Sequence, residues 1–238
     1  MQKAPFNDPR VRRALDLSLD KNIIANNVLG MGQTPAYSLI PKNVGGFQRK
    51  EPEWAGWTQQ QRKAEAKKLL KEAGFDEKKP LKFTLLYNTS ESHLRIAIAA
   101  TSMWKKNLGL EVTLQNQEWK TMLDTVRTGD FEVVRHSWTG DYNEASTFLN
   151  TMETNDSSNN GKYSNAEYDG LLKKALTVKD KQEKEAIYQQ ASDILDKDMA
   201  LIPIYYYVQP QMAKAYIGGF APDYRGDYYT KDMYVIKH

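Results

Sequence analysis

FTLLYNTSESHLRIAIAATSMWKKNLGLEVTLQ, residues 83–115, carries the clearest fold signal in the chain. Phe83–Tyr87 is rich in β-prone residues and follows Pro80, so it reads as a strand. Ser90 stands at a helix-cap position. Leu94, Ile98, Thr101 and Trp104 recur at helical spacing, and Gly109 closes the helix. Glu111–Gln115 is a second strand. Strand, helix and strand at these lengths make a βαβ unit, which predicts parallel pairing and a right-handed crossover.

Downstream, a helix from about Trp119 to Arg127 ends before Gly129 and leads to a third strand, Phe131–Arg135. Ser137-Trp138-Thr139-Gly140-Asp141-Tyr142-Asn143 follows. In open α/β sheets, ligands bind just beyond the carboxyl ends of strands. Arg135, Trp138 and Asp141 gather at such an end, with Trp119 on the preceding helix. Two readings stand. A cation, a carboxylate and two flat surfaces suit a zwitterionic ligand with hydrophobic parts. Equally, both tryptophans could be core and Arg135–Asp141 an internal ion pair.

Upstream, Asn7 or Asp8 caps a first helix with Pro9 in its first turn, and Asp20 caps a second that stops at Gly30. Residues 32–56 lack periodicity and read as an ordered loop. Thr58 and Gln61 form a capping box for a helix running to Ala73, whose basic face (Arg62, Lys63, Lys67, Lys68, Lys71) reads as solvated. Toward the C-terminus, residues 154–160 read as an exposed polar loop, and two helices follow, the second capped by Asp180. Leu201–Val208 reads as a strand and Met233–Lys237 as a final short one.

Composition narrows the chemistry. The chain has 238 residues, 40% hydrophobic and 26% charged, with a net charge of +3. That is ordinary for a globular protein of one or two domains, and the dispersed charge implies no nucleic-acid partner. No apolar run approaches the roughly 20 residues of a membrane helix. Cysteine is absent and His93, His136 and His238 are the only histidines. Thiol nucleophiles, zinc ribbons and disulfide scaffolds are therefore excluded, and no metal or cofactor is expected. No G-x-S-x-G, Walker or G-x-G-x-x-G pattern occurs. The expectation is a binding protein, not an enzyme.

LLYNTSESH (Leu85–His93), MWKKNLG (Met103–Gly109), NQEWKT (Asn116–Thr121), WTGDYNEASTFLNTM (Trp138–Met152), IPIYYYV (Ile202–Val208) and the closing MYVIKH together resemble the periplasmic oligopeptide-binding proteins of bacterial ABC importers. The resemblance spans essentially the whole chain, yet members of that family are about twice as long or more. It implies an α/β fold: one lobe of a type II periplasmic-binding protein, a mixed sheet flanked by helices. Residues 1–197 would form the second large lobe. Residues 198–238 would be a hinge-crossing strand and a segment returning to the first lobe, without partner strands of its own here. On this reading His238 is a natural end, Met1 an added start, and no signal peptide is present. A complete small binding module is the rival.

The same resemblance implies site residues. Asp141 matches the carboxylate that pairs with a peptide's ammonium. Arg135 and His93 match groups that meet the C-terminal carboxylate. Trp119 and Trp138 match aromatic pocket walls, Ser137, Thr139 and Gly140 match backbone lying along the extended peptide, and Tyr207 matches a cleft tyrosine. There are departures. Val126 stands where relatives have an arginine, although Arg127 is adjacent, a lysine is missing near Leu29, and Ala145 replaces a proline. VLGMGQTPA (Val28–Ala36) and the Trp-Thr-Gly-Asp step also resemble the murein-tripeptide branch. The implied partners are short peptides and an ABC permease, for a monomeric protein in the periplasm.

Overall fold

The computed structural model describes residues 2–42, 44–223 and 226–236, so Met1, Lys237 and His238 lie outside the described residues. Helix α1 spans Pro9–Ser18, with the Asp8 side chain accepting from Arg10 N and Pro9 in the first turn. Asp20 caps α2, Lys21–Ile23, which continues as a π-helical stretch, Ile24–Leu29, until Gly30 turns left-handed at φ 69°. The apolar spacing of Ile23, Ile24 and Val28 does not distinguish that wider turn from an ordinary helix. β1 is Thr34–Pro35. The Thr58–Gln61 capping box forms in both directions at the start of α3, Gln59–Glu72.

The βαβ unit then appears as β2 (Lys82–Asn88), α4 (Glu91–Leu108) and β3 (Glu111–Gln117). α5 (Trp119–Thr128) leads to β4 (Val133–Val134). α6 (Ser146–Leu149), α7 (Ala166–Thr177) and α8 (Lys181–Asp198) follow. β5 (Tyr205–Tyr206), β6 (Ile217–Gly218) and β7 (Tyr234–Val235) lie in the tail.

The central sheet has the order β3-β2-β4 and is parallel throughout, in register from Lys82↔Glu111 to Asn88↔Gln117 and with Leu85↔Val133. Antiparallel pairing occurs in two separate ladders, β1 with β5 and β6 with β7. Those ladders correct the expectation of a tail without partner strands. Tyr206 pairs with Thr34, and its hydroxyl donates to the Ser38 and Ile40 carbonyls, both at 2.9 Å. Residues 34–40 carry no strand periodicity, so this partner is invisible in the sequence.

Alternation along β2 sends Phe83, Leu85 and Tyr87 into one core and Leu86 into another. The first core packs α1, α3 and α4 on the sheet. Trp104 stands edge-on to Phe83 at 5.5 Å and donates from Nε1 to the Leu15 carbonyl at 3.0 Å. The second is Leu86, Met122 and Val126 under α5. A third core joins α6, α7 and α8 around Leu149, Tyr168 and Tyr188, with Ile40 and Phe47.

Three expectations need correction. α4 buries Ile96, Ala97, Ala100, Trp104 and Leu108, while Leu94 and Ile98 are exposed. Small alanines allow the close approach, so the larger aliphatics marked the wrong face. Arg62 is buried: it lies over the Tyr37 ring at 5.2 Å and donates to the Trp54 carbonyl at 3.0 Å, because residues 53–57 fold over α3. Within 154–160, Asn159 is also buried, donating to Glu153 and Tyr163 carbonyls at 3.0 and 2.8 Å.

Asp196 on α8 meets Arg49 at 3.3 Å, yet burial outweighs that cation and pushes its carboxyl up to about 7 from 3.8. The folded state therefore holds a proton there that the unfolded chain has released. This contribution to stability is complete below about 3.8 and is lost as pH rises through about 7. Chemical denaturation from pH 4 to 8 should show stability falling less steeply in Asp196→Asn than in the native chain.

Candidate functional site

The carboxyl ends of β2 and β4 converge on the tail. Arg135, directly after β4, is anchored by its backbone N–H donating to the Leu86 carbonyl at 2.8 Å. Its side chain is buried, and Nη2 donates to the Tyr205 hydroxyl at 3.1 Å and to the Tyr207 hydroxyl. Nε and Nη1 have no hydrogen-bond partner among the described residues. The Tyr207 hydroxyl also meets His93 Nε2 at 3.4 Å, and His93 Nδ1 meets Asn88 Oδ1 at 2.8 Å. The result is a chain Asn88–His93–Tyr207–Arg135–Tyr205 that crosses three separate segments.

Electrostatics follow from that packing. Burial, then the neighbouring Arg135 cation, lower the His93 imidazole to about 4. At neutral pH His93 is therefore an uncharged hydrogen-bonding group. Burial raises the Tyr205 phenol, helped by its bond to Tyr207, to about 12. Burial also acts upward on Tyr207, but Arg135 and hydrogen bonds outweigh it and the phenol falls below its usual value. Arg135 is thus the fixed positive charge of the cluster.

The segment after Arg135 is exposed. His136, Ser137, Trp138 and Thr139 are open to solvent, and residues 136–140 belong to no helix or strand. Among the described residues, their backbone groups make no backbone hydrogen bond. Asp141 N–H donates to Thr147 Oγ1 at 2.8 Å, which pins the segment to α6. Gly140 needs its missing side chain: a Cβ would meet Thr147 Cγ2 at 3.0 Å and Phe148 Cζ at 3.2 Å. The Asp141 carboxylate is exposed and has no ion pair among the described residues.

The internal-ion-pair reading of Arg135–Asp141 therefore fails, and so does the core reading of the tryptophans. Trp119 is 49% exposed and stacks on His136 at 6.4 Å, and Trp138 is 36% exposed. The structure brings Arg135, His93 and Tyr207 into one network. It leaves Asp141 and Trp138 outside that network, on the adjoining loop. Val126 is core, and Arg127 points outward to Asp124 at 3.1 Å, so neither replaces the missing arginine. Sequence reasoning missed Tyr205 and Asn88. Strand alternation in Tyr205-Tyr206-Tyr207 puts the outer two on one side, a signal that was available. Nothing flagged Asn88. Among the described residues, no group of His, Asp and Glu is arranged to hold a metal ion, and no helix is long and apolar enough to cross a membrane.

The parallel β3-β2-β4 sheet with helices packed on it fits the type II periplasmic-binding fold of its structural neighbours. The chain belongs to the bacterial extracellular solute-binding proteins, family 5, whose middle-region model matches residues 1–160. It is 50% identical over its whole length to the periplasmic oligopeptide-binding protein OppA of Salmonella typhimurium, of which it covers 44%. Its structure is similar to that of the Escherichia coli murein tripeptide-binding protein MppA, with a TM-score of 0.92 and 43% identity, over 100% of this chain and 47% of that one. It is also similar to Haemophilus influenzae OppA in complex with RPPGFSPFR, with a TM-score of 0.90 and 43% identity, over 99% of this chain and 47% of that one. The chain thus spans about half the length of the relatives it matches.

Proposed function

We propose that this chain is the C-terminal part of a periplasmic peptide-binding protein that holds short peptides in extended form between two lobes and delivers them to an ABC permease. The observation that carries the reading is that residues 136–140 make no backbone–backbone hydrogen bond among the described residues. That segment runs from Arg135, whose Nε and Nη1 have no hydrogen-bond partner among the described residues, to Asp141, whose carboxylate has no ion pair among them. A peptide laid along it as an added strand satisfies its own backbone independently of side chains. Opposite charges at the ends then fix its direction: ammonium toward Asp141, carboxylate toward Arg135 with neutral His93 as a hydrogen-bond partner.

Ser137, Thr139 and Gly140 supply the backbone, Trp119 and Trp138 flat walls, and Tyr207 the link to the tail. Residues 1–197 act as one lobe and 198–238 as the crossing to the other. Lobe closure buries the ligand and changes the surface offered to the permease. A monomer without cofactor or catalysis suffices, in keeping with relatives that are solute-binding proteins. Incubation with short peptides followed by mass spectrometry should therefore show no cleavage.

Arg135 gives the sharper test. In a chain extended to the length of its relatives, Arg135→Ala should weaken peptides of one length more than others, because only one length places its carboxylate there. Equal weakening at every length would make Arg135 a structural tie to Tyr205 and Tyr207. The murein-tripeptide reading, favoured by the likeness to MppA, predicts that a free murein tripeptide outcompetes unmodified tripeptides in the same assay.

A further inference from the structure

The turn that carries Asp141 is held from behind by groups to which no ligand role attaches. Glu144 sits three residues on. Its carboxylate accepts from the Tyr188 hydroxyl and lies 3.8 Å from Lys184 Nζ, both on α8. Burial and that bond to Glu144 raise the Tyr188 phenol, so it remains a donor. Tyr188 itself is fixed in the third core, edge-on to Phe47 at 6.3 Å. Asn143 is held in parallel: its Oδ1 accepts from Gly45 N–H at 2.7 Å. Gly45 has φ +60°, and a Cβ there would come within 2.7 Å of the Asn143 carbonyl. The 44–47 loop, α8 and α6 thus hold three consecutive residues, Asn143, Glu144 and Ala145, while the nearby Asp141 stays exposed.

We propose that Glu144, through Tyr188, is a positioning residue that fixes where Asp141 presents its carboxylate. This rests on the reading of Asp141 as the ammonium partner. The geometry makes the Tyr188 bond the working contact, because Lys184 is partly exposed and 3.8 Å away, and ion pairs of that kind contribute little. A hydrogen bond to a carboxylate is the stronger kind. Glutamine retains an acceptor oxygen for Tyr188, whereas alanine retains none.

Two measurements on the same variants test it. Amide hydrogen exchange on the 238-residue chain, without ligand, should accelerate at residues 139–145 in Glu144→Ala and Tyr188→Phe and stay near native in Glu144→Gln. Tripeptide affinity, measured on the chain extended to its relatives' length, should fall about tenfold in Glu144→Ala, equivalent to ~1.4 kcal/mol. In an Asp141→Asn background the same change should cost nothing further. Unchanged exchange in both variants overturns the grip itself. Faster exchange with an equal affinity loss in both backgrounds overturns action through Asp141. If Asp141→Asn alone leaves affinity untouched, the ammonium role of Asp141 and the positioning role fall together, and the exchange data show whether the grip was real. Tyr188→Phe keeps the test decisive if Glu144→Ala does not fold.

Discussion

Asp141→Asn, in a chain extended to the length of its relatives, is expected to weaken tripeptide binding by about 30-fold or more. The isosteric amide preserves shape, so the loss reports charge. On the proposed two-lobe reading, the carboxylate and the ligand ammonium are both desolvated between closed lobes. Truncating one partner of such a pair costs about 2–5 kcal/mol, and roughly 1.4 kcal/mol is tenfold in affinity. In the 238-residue chain the same carboxylate is exposed. There an ion pair is worth about 0–1 kcal/mol, and the contacts of the other lobe are missing. Binding should be weak in that chain, and Asp141→Asn should change it little. Calorimetry on both lengths with one tripeptide reads out the contrast, and near-equal affinity at the two lengths would show that one lobe suffices.

The largest stability effect is expected at a buried ion pair. Asp16 on α1 and Lys21 on α2 form an ion pair at 2.6 Å, with side chains 1% and 2% exposed. No other described group hydrogen-bonds Asp16 Oδ1 or Lys21 Nζ. The Lys21 ammonium lies 4.6 Å from the Tyr37 ring, and burial lowers its pKa despite Asp16. Asp16→Ala strands that ammonium in an apolar setting, and breaking a buried pair this way costs about 3–5 kcal/mol. Replacing both partners by apolar residues of similar volume, Asp16→Leu with Lys21→Met, should recover most of the loss, since a well-packed apolar pair is often as stable as the ion pair. Urea denaturation of the single and double variants checks this. A single variant within ~1 kcal/mol of native would mean that water reaches the site.

Local signals carried much of the architecture. The Thr58–Gln61 box, the Asp8, Asp20 and Asp180 caps and the glycine stops at Gly30 and Gly109 depend on neighbours a few residues apart, and each forms as read. So does the βαβ unit, whose alternation and helical period are local. The Ser90 side chain, by contrast, makes no capping bond and pairs with Ser92 instead. What stayed hidden depends on distant partners. Arg62 looked solvated because the loop that covers it has no periodicity. The buried Asp16–Lys21 pair carries no local signal at all. Leu94 and Ile98 outweighed Ala97 and Ala100 in the reading of α4, although small residues are what let that helix approach its neighbours.

The site divides in the same way. The proximity of Arg135, Trp138 and Asp141 was legible because one loop carries them, at the end of a strand. Their relation was not. Arg135 turns to Tyr205 and Tyr207, 70 and 72 residues away, and Asp141 has no ion pair among the described residues. Only the way the tail lies across the strand ends decides that choice.

Native mass spectrometry tests the central claim most directly. A chain extended to the length of its relatives, purified without unfolding, should carry bound ligand whose released masses and fragments are those of short peptides, and Asp141→Asn should carry far less. A protein that releases a non-peptide ligand, or whose peptide load is the same with Asp141→Asn, would contradict the account.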